Sequence, residues 1–388
     1  MAFESGAHDE YAGFEQGPIR PPSEAGSLLL RLTRNCAWNR CLFCPVYKGR
    51  PPSVRPLDHV LRDIDSINRH IQKLKEIQPD VHSPVDRLLD DYLRSVETLE
   101  LTSFDAAYKW YLNGMKTVFL QDADPLSVGP DVVIEATRHL RHLFPQTERV
   151  TTYARSSTVA AMSSTELAAL KEAGLSRIHV GLESGSDRVL KMMRKGASKT
   201  MHIEAGRKIR GAGMELSEYV MPGLGGKTLS DEHADETADA VNRIDPDFVR
   251  LRTVAVSDRA PLHRLRISGE FRPMSDVEVV REIGRFVSGL SGVTSHIVSD
   301  HILNLLPEIE GVLPQDKNRI LRVIDEFLDL DEREQDTYRL GRRLGLMSST
   351  RDLDNQQRVA GVQTAREAYS ITDENLDSVL DIIVMGFI

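Results

Sequence analysis

Cysteine is almost absent from this sequence. The 388 residues contain three cysteines, and all of them lie between Cys36 and Cys44. Cysteines that only fill a hydrophobic core are expected to be scattered among strands and helices, and an odd number cannot all pair in disulfides. The clustering indicates a metal centre, because gaps of four and then two residues let three thiolates of one loop converge.

The sequence also lacks long apolar runs and an excess of positive charge. No run reaches the roughly 18 apolar residues of a membrane-spanning helix, and the formal net charge is −9. The polar and acidic residues 1–5 do not have the pattern of a signal peptide. With a hydrophobic fraction of 40%, we expect a cytoplasmic protein with a sizeable core, and the acidic balance argues against a general nucleic-acid or membrane binder.

The number of ligands discriminates between metals. Structural zinc is bound by four ligands, usually Cys and His, whereas the nearest histidine, His59, lies beyond the loop at the start of a predicted helix. A 4Fe–4S cluster is normally held by four thiolates. With three thiolates, one iron stays open for a substrate or cofactor. This favours a cluster, and a zinc site or chance clustering are the alternatives.

Two sequence strings resemble a known family. The first is Cys-x4-Cys-x-Phe-Cys from Cys36 to Cys44, which follows an apolar run at 27–33. It resembles the radical S-adenosylmethionine (SAM) superfamily, whose commonest signature has three residues in the first gap, and a group of bacterial proteins with the four-residue gap. The second, Gly-Leu-Glu-Ser-Gly-Ser at 181–186, resembles the oxygen-independent coproporphyrinogen oxidase branch. The resemblance covers about residues 18–330.

This resemblance implies a cofactor set and a reaction type. Cys36, Cys41 and Cys44 are expected to hold a 4Fe–4S cluster whose open iron chelates SAM. An electron from a flavodoxin or ferredoxin-type reductant then cleaves SAM to a 5′-deoxyadenosyl radical, which abstracts hydrogen from an unidentified small-molecule substrate. The same branch contains haem-trafficking proteins, so haem binding is an alternative function. A zinc-stabilised protein without enzymatic activity is a second alternative.

The resemblance also implies which residues contact SAM. They follow the cysteine loop and the ends of successive strands: Phe43, Asp122, Ala123, Asp124, Tyr153, Arg155, Glu183, Ser184, Lys195, Tyr219 and Gly223. Glu183 is expected at the ribose and Lys195 at the SAM carboxylate. For the two aspartates the alternative is helix capping, and for Lys195 it is a solvated position near a helix end.

A polar cluster near residue 300 stands apart from the family motifs. Asp300 and His301 lie among aliphatic residues. A histidine beside an aspartate can position a substrate or move a proton, so both residues are candidate catalytic residues. The alternative is a buried hydrogen-bond network.

The fold class predicted is α/β, a partial (β/α)6 TIM-type barrel. An irregular arm is expected over 1–26, the barrel over 27–265 with a helical insertion at about 58–114, and a mainly helical extension over 266–388. The cysteine loop would lie at the carboxyl end of the first strand, where barrel active sites are found. The six strands are predicted at 27–33, 116–120, 150–155, 177–182, 215–221 and 247–253.

The lack of cysteines outside the loop limits the reaction types of the superfamily that we expect for this chain. Sulfur-inserting members of the superfamily carry a second cluster, usually with further cysteines, and this sequence has none outside the loop. A cobalamin-binding signature is also absent from the sequence. Hydrogen abstraction from a bound substrate is the reaction type that we expect.

Overall fold

A computed structural model describes residues 10–79 and 87–387. The chain forms two compact units. The first comprises the described residues of Met1–Asn39, Gly49–Val180 and Arg207–Leu216, and the second those of Arg40–Lys48, Gly181–Gly206 and Ser217–Ile388.

The elements up to the middle of the chain begin in the first unit. In chain order they are β1 (Leu28–Arg31), β2 (Thr33–Arg34), β3 (Ser53–Val54), α1 (Leu57–Ile77), α2 (Arg87–Ser95), α3 (Leu101–Leu112), β4 (Thr117–Gln121), α4 (Pro130–Leu143), β5 (Arg149–Ala154), α5 (Ser156–Ala161), α6 (Ser164–Ala173) and β6 (Leu175–Glu183).

The following elements lie mostly in the second unit, with the end of α8 and the start of β7 in the first. They are α7 (Asp187–Met192), α8 (Lys199–Gly211), β7 (Glu215–Val220), α9 (Gly226–Ile244), β8 (Phe248–Leu251), α10 (Leu262–Ile267), α11 (Asp276–Gly289), β9 (His296–Val298), β10 (Gly311–Val312), α12 (Lys317–Leu328), α13 (Glu332–Arg343), α14 (Gln356–Ala368) and α15 (Leu376–Met385).

Parallel pairing dominates within each unit. In the first unit β1, β4, β5 and β6 are parallel neighbours in that order. Their apolar runs are buried, as expected when helices cover a parallel sheet. In the second unit β7, β8 and β9 are parallel, and β10 closes the order antiparallel to β9.

The first helix between β1 and β4, α1, packs through one apolar face. In α1, side chains at helical spacing are fully buried: Val60, Ile64, Ile67, Ile71 and Leu74. This apolar face packs against α3 and α4, so burial of one face stabilises a helix whose other positions are polar. Of the predicted helical insertion at about 58–114, residues 80–86 lie outside the described residues.

The α/β class with a mostly parallel sheet is confirmed, and each of the six predicted barrel strands has its counterpart in β1 and β4 to β8. Four strands were missed. β2, β3 and β10 have two residues each and β9 has three, so none is long enough for a period-two pattern to stand out. The predicted boundaries of arm, barrel and extension stay predictions.

Within the described residues, no helix combines the length and apolarity needed to cross a bilayer.

The buried face of α1 gives a prediction about stability. Replacing Ile67, which is fully buried, with alanine should lower the free energy of unfolding by roughly 2–5 kcal/mol, because it leaves a cavity in the core. The matched control is Ile382→Ala on α15, where the side chain is 71% exposed and the expected change is within about 0.5 kcal/mol. Urea denaturation measures both. Equal losses for the two variants would contradict the packing described here.

Candidate active site

The side chains of the three cysteines are partly buried. Cys36 belongs to the first unit, where its Sγ accepts a hydrogen bond from the Asn39 main-chain N–H at 3.4 Å. Cys41 and Cys44 belong to the second unit. Among residues 10–79 and 87–387, no three His, Cys, Asp or Glu side chains form a group arranged to hold a metal ion. The role of the cysteines as cluster ligands therefore stays a prediction.

The segment between Cys41 and Cys44 is anchored by Leu42. Its N–H donates to the Met193 carbonyl at 3.0 Å, and its carbonyl accepts from the Leu262 N–H at 2.8 Å. The Leu42 side chain is 91% buried in an apolar cluster, and Phe43 packs against that cluster. Phe43 thus has a packing role in this unit, and its expected contact with adenine stays a prediction.

Asp122 binds groups of its own unit. Its Oδ2 accepts from the Arg31 guanidinium at 2.7 and 3.2 Å and from the Asn35 N–H at 3.3 Å. Asp122 is fully buried, so the Arg31 charge offsets much of the cost of burying the carboxylate. Since Asn35 directly precedes Cys36, this carboxylate also fixes the start of the cysteine loop. The sequence did not indicate the Arg31 partner.

Asp124 serves the start of α5. Its carboxylate accepts from the Arg155 N–H at 3.1 Å and from the Thr158 hydroxyl at 2.6 Å. The alternative was a cap on the next helix, but Asp124 makes no side-chain cap to the 3-10 helix Pro125–Val128 that follows it. Its carboxylate instead satisfies donors near the start of α5. Ala123 lies between the two aspartates and is partly buried. Contacts of Asp122, Ala123 and Asp124 with SAM stay predictions.

Tyr153 and Arg155 each contact aromatic rings of the first unit. The Tyr153 ring packs edge-on against Phe119 at 5.0 Å and tilted against His179 at 5.6 Å. The guanidinium of Arg155 lies 4.8 Å from the ring centre of Trp38, a cation–π contact. His179 is fully buried and belongs to the core of this unit. Trp38 lies within the cysteine loop and was missed as an Arg155 partner.

Glu183 and Lys195 form a buried ion pair. Lys195 Nζ lies 3.1 Å from Glu183 Oε1, and the two residues are 8% and 9% exposed. Helix α7 ends at Met192, so Lys195 lies beyond the helix and is not the solvated residue of the alternative. Gly181 makes room for this pair, because a Cβ there would collide with Glu183 Oε1 and lie 2.9 Å from Lys195 Nζ.

Glu218 is a further residue of this region that was not predicted from the sequence. It is fully buried on β7, and burial raises the pKa of its carboxyl well above the ordinary 4.5; Lys195 lowers that pKa and Glu183 raises it further. The Leu182 N–H also lowers the pKa slightly. Even so, within the described residues neither carboxyl oxygen has a hydrogen-bond partner of good geometry.

A signal for Glu218 was available in the sequence. It stands between Leu216 and Val220 at a spacing of two, so it shares the face of two apolar residues of the same strand. An acidic residue on such a face is uncommon, because burying a carboxyl without partners is costly.

Ser184, Tyr219 and Gly223 are held by neighbours in the second unit. Ser184 Oγ lies 2.8 Å from His233 Nδ1, and the Arg252 guanidinium lies 4.9 Å from the Tyr219 ring centre. The Gly223 N–H donates to Glu282 at 2.7 Å, and its φ of +83° favours glycine. Their contacts with SAM stay predictions.

Asp300 and His301 differ in their surroundings. Asp300 accepts from Arg250 at 2.9 Å and from Arg252 at 2.6 Å. Burial and then the Arg252 charge lower the pKa of His301 to about 4. The expected roles of this pair, to position a substrate or to move a proton, stay predictions.

The family comparison agrees with the motifs. Residues 92–240 match the family described as the radical SAM superfamily. This chain contains a radical SAM domain. The match agrees with the superfamily expected from the sequence, whose enzymes use a 4Fe–4S cluster and SAM, and it does not extend to the cysteine loop. The finer placement, in the group with the four-residue gap and near the coproporphyrinogen oxidase branch, stays a prediction.

Relatives of the radical SAM domain are distant. A tRNA uridine(34) acetyltransferase from Methanocaldococcus infernus is 25% identical over 122 residues, 31% of this chain and 23% of that protein. The human mitochondrial tRNA methylthiotransferase CDK5RAP1 is 25% identical over 233 residues, 55% of this chain and 36% of that protein. The chain thus spans about a quarter to a third of these curated relatives.

Among solved structures, methylornithine synthase (PylB) is similar with a TM-score of 0.42 at 15% identity, over 77% of this chain and 81% of that chain.

The buried Glu218 gives a prediction about pH. A carboxyl whose pKa is raised on folding holds more protons in the folded chain, so stability is full below the ordinary value of 4.5 and falls as the pH rises above it. Glu218→Gln removes this titration, so the variant should gain in stability relative to the wild type between pH 5 and pH 8. Denaturation midpoints across this range measure the difference.

The control is Glu215→Gln at the exposed start of the same strand, which should keep the wild-type pH dependence. A Glu218→Gln variant whose stability falls with pH in parallel with the wild type would show that this carboxyl does not titrate abnormally.

Proposed function

We propose that this chain is a radical SAM enzyme that abstracts hydrogen from a small-molecule substrate. Cys36, Cys41 and Cys44 would hold a 4Fe–4S cluster, and a flavodoxin or ferredoxin-type protein would supply the electron. The proposal depends above all on one observation: a chain with a radical SAM domain has all three of its cysteines within a single loop.

The chemistry of the donors fits this cofactor. Three thiols are one fewer than a fully ligated cubane requires, and none of them is used in a disulfide. Thiolates select soft metals and iron–sulfur centres over hard cations. The partly buried Cys41 and Cys44 flank Leu42, whose main-chain hydrogen bonds limit the movement of the loop.

When bound, the cluster and SAM together supply a 5′-deoxyadenosyl radical, which takes hydrogen from carbon. The chain's own contribution is to bind, orient and exclude water. Glu183 can accept hydrogen bonds from vicinal ribose hydroxyls, and Lys195 can pair with a carboxylate. Their 3.1 Å ion pair presents both groups together, which supports a role in holding a ligand that carries hydroxyls and a carboxylate.

The groups proposed to bind SAM in the second unit are shielded from solvent. Glu183, Ser184, Lys195 and Tyr219 are each less than 10% exposed. A dry site strengthens each charge–charge contact and protects a reactive species from water. Glu218, fully buried beside the charges of Glu183 and Lys195, offers a further carboxyl for a hydroxyl or amino group of the ligand.

The named activities of the two curated relatives are not carried over as they stand. Both names refer to tRNA, and this chain matches less than two fifths of either protein. Addition of sulfur requires a sulfur source, and the three cysteines of this chain are all assigned to one cluster. We therefore propose hydrogen abstraction from a small molecule as the reaction.

The first test removes one thiolate. In Cys41→Ser, iron and acid-labile sulfide per chain should fall to background after anaerobic reconstitution, because two thiolates do not retain a cubane. Formation of 5′-deoxyadenosine with dithionite and SAM should fall at least about a hundredfold, in line with loss of an essential cofactor group. Zinc or haem retained with no iron–sulfide content in the wild type would instead favour one of the two alternative functions.

The second test separates SAM binding from cluster binding. Glu183→Gln should weaken SAM binding by roughly tenfold, because a charged hydrogen-bond acceptor is lost, while iron and sulfide content stay unchanged. The matched control is Glu204→Gln, an exposed residue of α8. Unchanged SAM affinity in Glu183→Gln would remove Glu183 from the binding site, and a loss of iron would mean that it supports the cluster.

A further inference from the structure

A pocket of about 270 Å³ lies within the second unit, between the segments that follow β7 and β8 and the helices α13 and α15. Aliphatic side chains line it, among them Val254, Val279, Leu380 and Val384. Its lining also includes four cationic residues, Lys227, Arg266, Arg339 and Arg343. A pocket with an aliphatic wall and cationic groups suits a ligand with an apolar body and acidic ends.

Two of the arginines are held by residues of the second unit that lie outside α15. Arg343 binds Asp276 at 2.6 Å and the Leu303 carbonyl at 2.9 Å, and it is 5% exposed. Arg339 binds Asp336 at 2.8 Å and lies 3.6 Å from Asp276. Their positions are therefore set without any contribution from α15.

Helix α15 supplies two further acidic partners for the arginines, and both are exposed to solvent. Asp377 pairs with Arg339, and Asp381 pairs with Arg266 at 2.5 Å. The side chains of Asp377 and Asp381 are 73% and 56% exposed, whereas that of Arg339 is 8% exposed. An exposed partner of an ion pair is held weakly, because water competes for its charge.

The spacing of the two aspartates defines what can replace them. They stand four residues apart on α15, so they lie on one face with their Cβ atoms about 5–6 Å apart. Two carboxylates at this separation reach Arg339 and Arg266 together. A free dicarboxylate of matching length can make the same two contacts, while its methylene groups lie along the aliphatic wall.

We propose that this pocket is a binding site for a small aliphatic dicarboxylate. Arg266 and Arg339 bind its two carboxylates, and in the absence of ligand Asp377 and Asp381 occupy the same two arginines. The aspartates thus compete with the ligand. Gly223, an expected SAM contact, also lines this pocket. Neither Gly223 nor a cysteine takes part in the two arginine contacts, so dicarboxylate binding can be tested separately from the function proposed above.

The test measures binding of adipate, a six-carbon dicarboxylate, to the full chain by isothermal titration calorimetry, with iron content recorded in each preparation. Hexanoate and 1,6-hexanediol serve as probes of the same length with one and no carboxylate. The expected order of affinity is adipate, then hexanoate, with no saturable binding of the diol. Arg266→Gln should weaken adipate binding roughly tenfold, because one charged contact is lost.

The double variant Asp377→Asn/Asp381→Asn gives the decisive comparison, because both residues are exposed and their replacement leaves the core intact. Removing the internal competitors should tighten adipate binding roughly threefold to tenfold, as expected from two weak ion pairs. Arg285→Gln, on an exposed arginine outside the pocket, is the control and should bind as the wild type does.

Three results would overturn the site: no saturable adipate binding in both the wild type and the double variant, equal binding of adipate and 1,6-hexanediol, or weaker binding in the double variant. Because the readout is binding, a chain without a cluster that still binds adipate would reject the proposed radical chemistry and keep this site.

Discussion

The two main-chain hydrogen bonds of Leu42 constrain the part of the chain on which the chemistry depends. They join the cysteine loop to Met193 and to Leu262, at 3.0 and 2.8 Å. Met193 is two residues before Lys195, so the segment that anchors the loop also carries the ammonium group of the buried ion pair. The cysteine loop and Lys195 are thereby held by one local network, and the apolar cluster around Leu42 keeps water from competing for these bonds.

The buried charged side chains of the second unit differ in how completely they are paired. Glu183, Lys195 and Glu218 place two carboxyls and one ammonium group in a buried environment. Burial above all, and also the neighbouring Glu183, raise the pKa of the Glu218 carboxyl, while Lys195 lowers it. Asp300, in contrast, has two arginine partners. Buried charged side chains with incomplete pairing are typical of functional sites, whereas fully paired charged side chains typically have a structural role.

Local sequence patterns predicted the helices and strands well, but they did not predict which side chains interact with one another. The spacing of Val60, Ile64, Ile67 and Ile71 predicted α1, because helix burial has a period that is visible in the sequence. The pairing of Asp122 with Arg31 joins residues 91 positions apart, and no local pattern carries that information. The same limit explains why Trp38 was missed as the partner of Arg155. Glu218 differs from these cases, because its position among apolar residues of one strand could be recognised in the sequence.

The measurement that tests the central claim most directly is electron paramagnetic resonance of the anaerobically reconstituted and reduced chain, before and after SAM is added. A cluster held by Cys36, Cys41 and Cys44 leaves one iron open, so SAM should bind that iron and change the spectrum of the reduced cluster. A reduced 4Fe–4S spectrum that SAM leaves unchanged, or the absence of any cluster signal, would contradict the account.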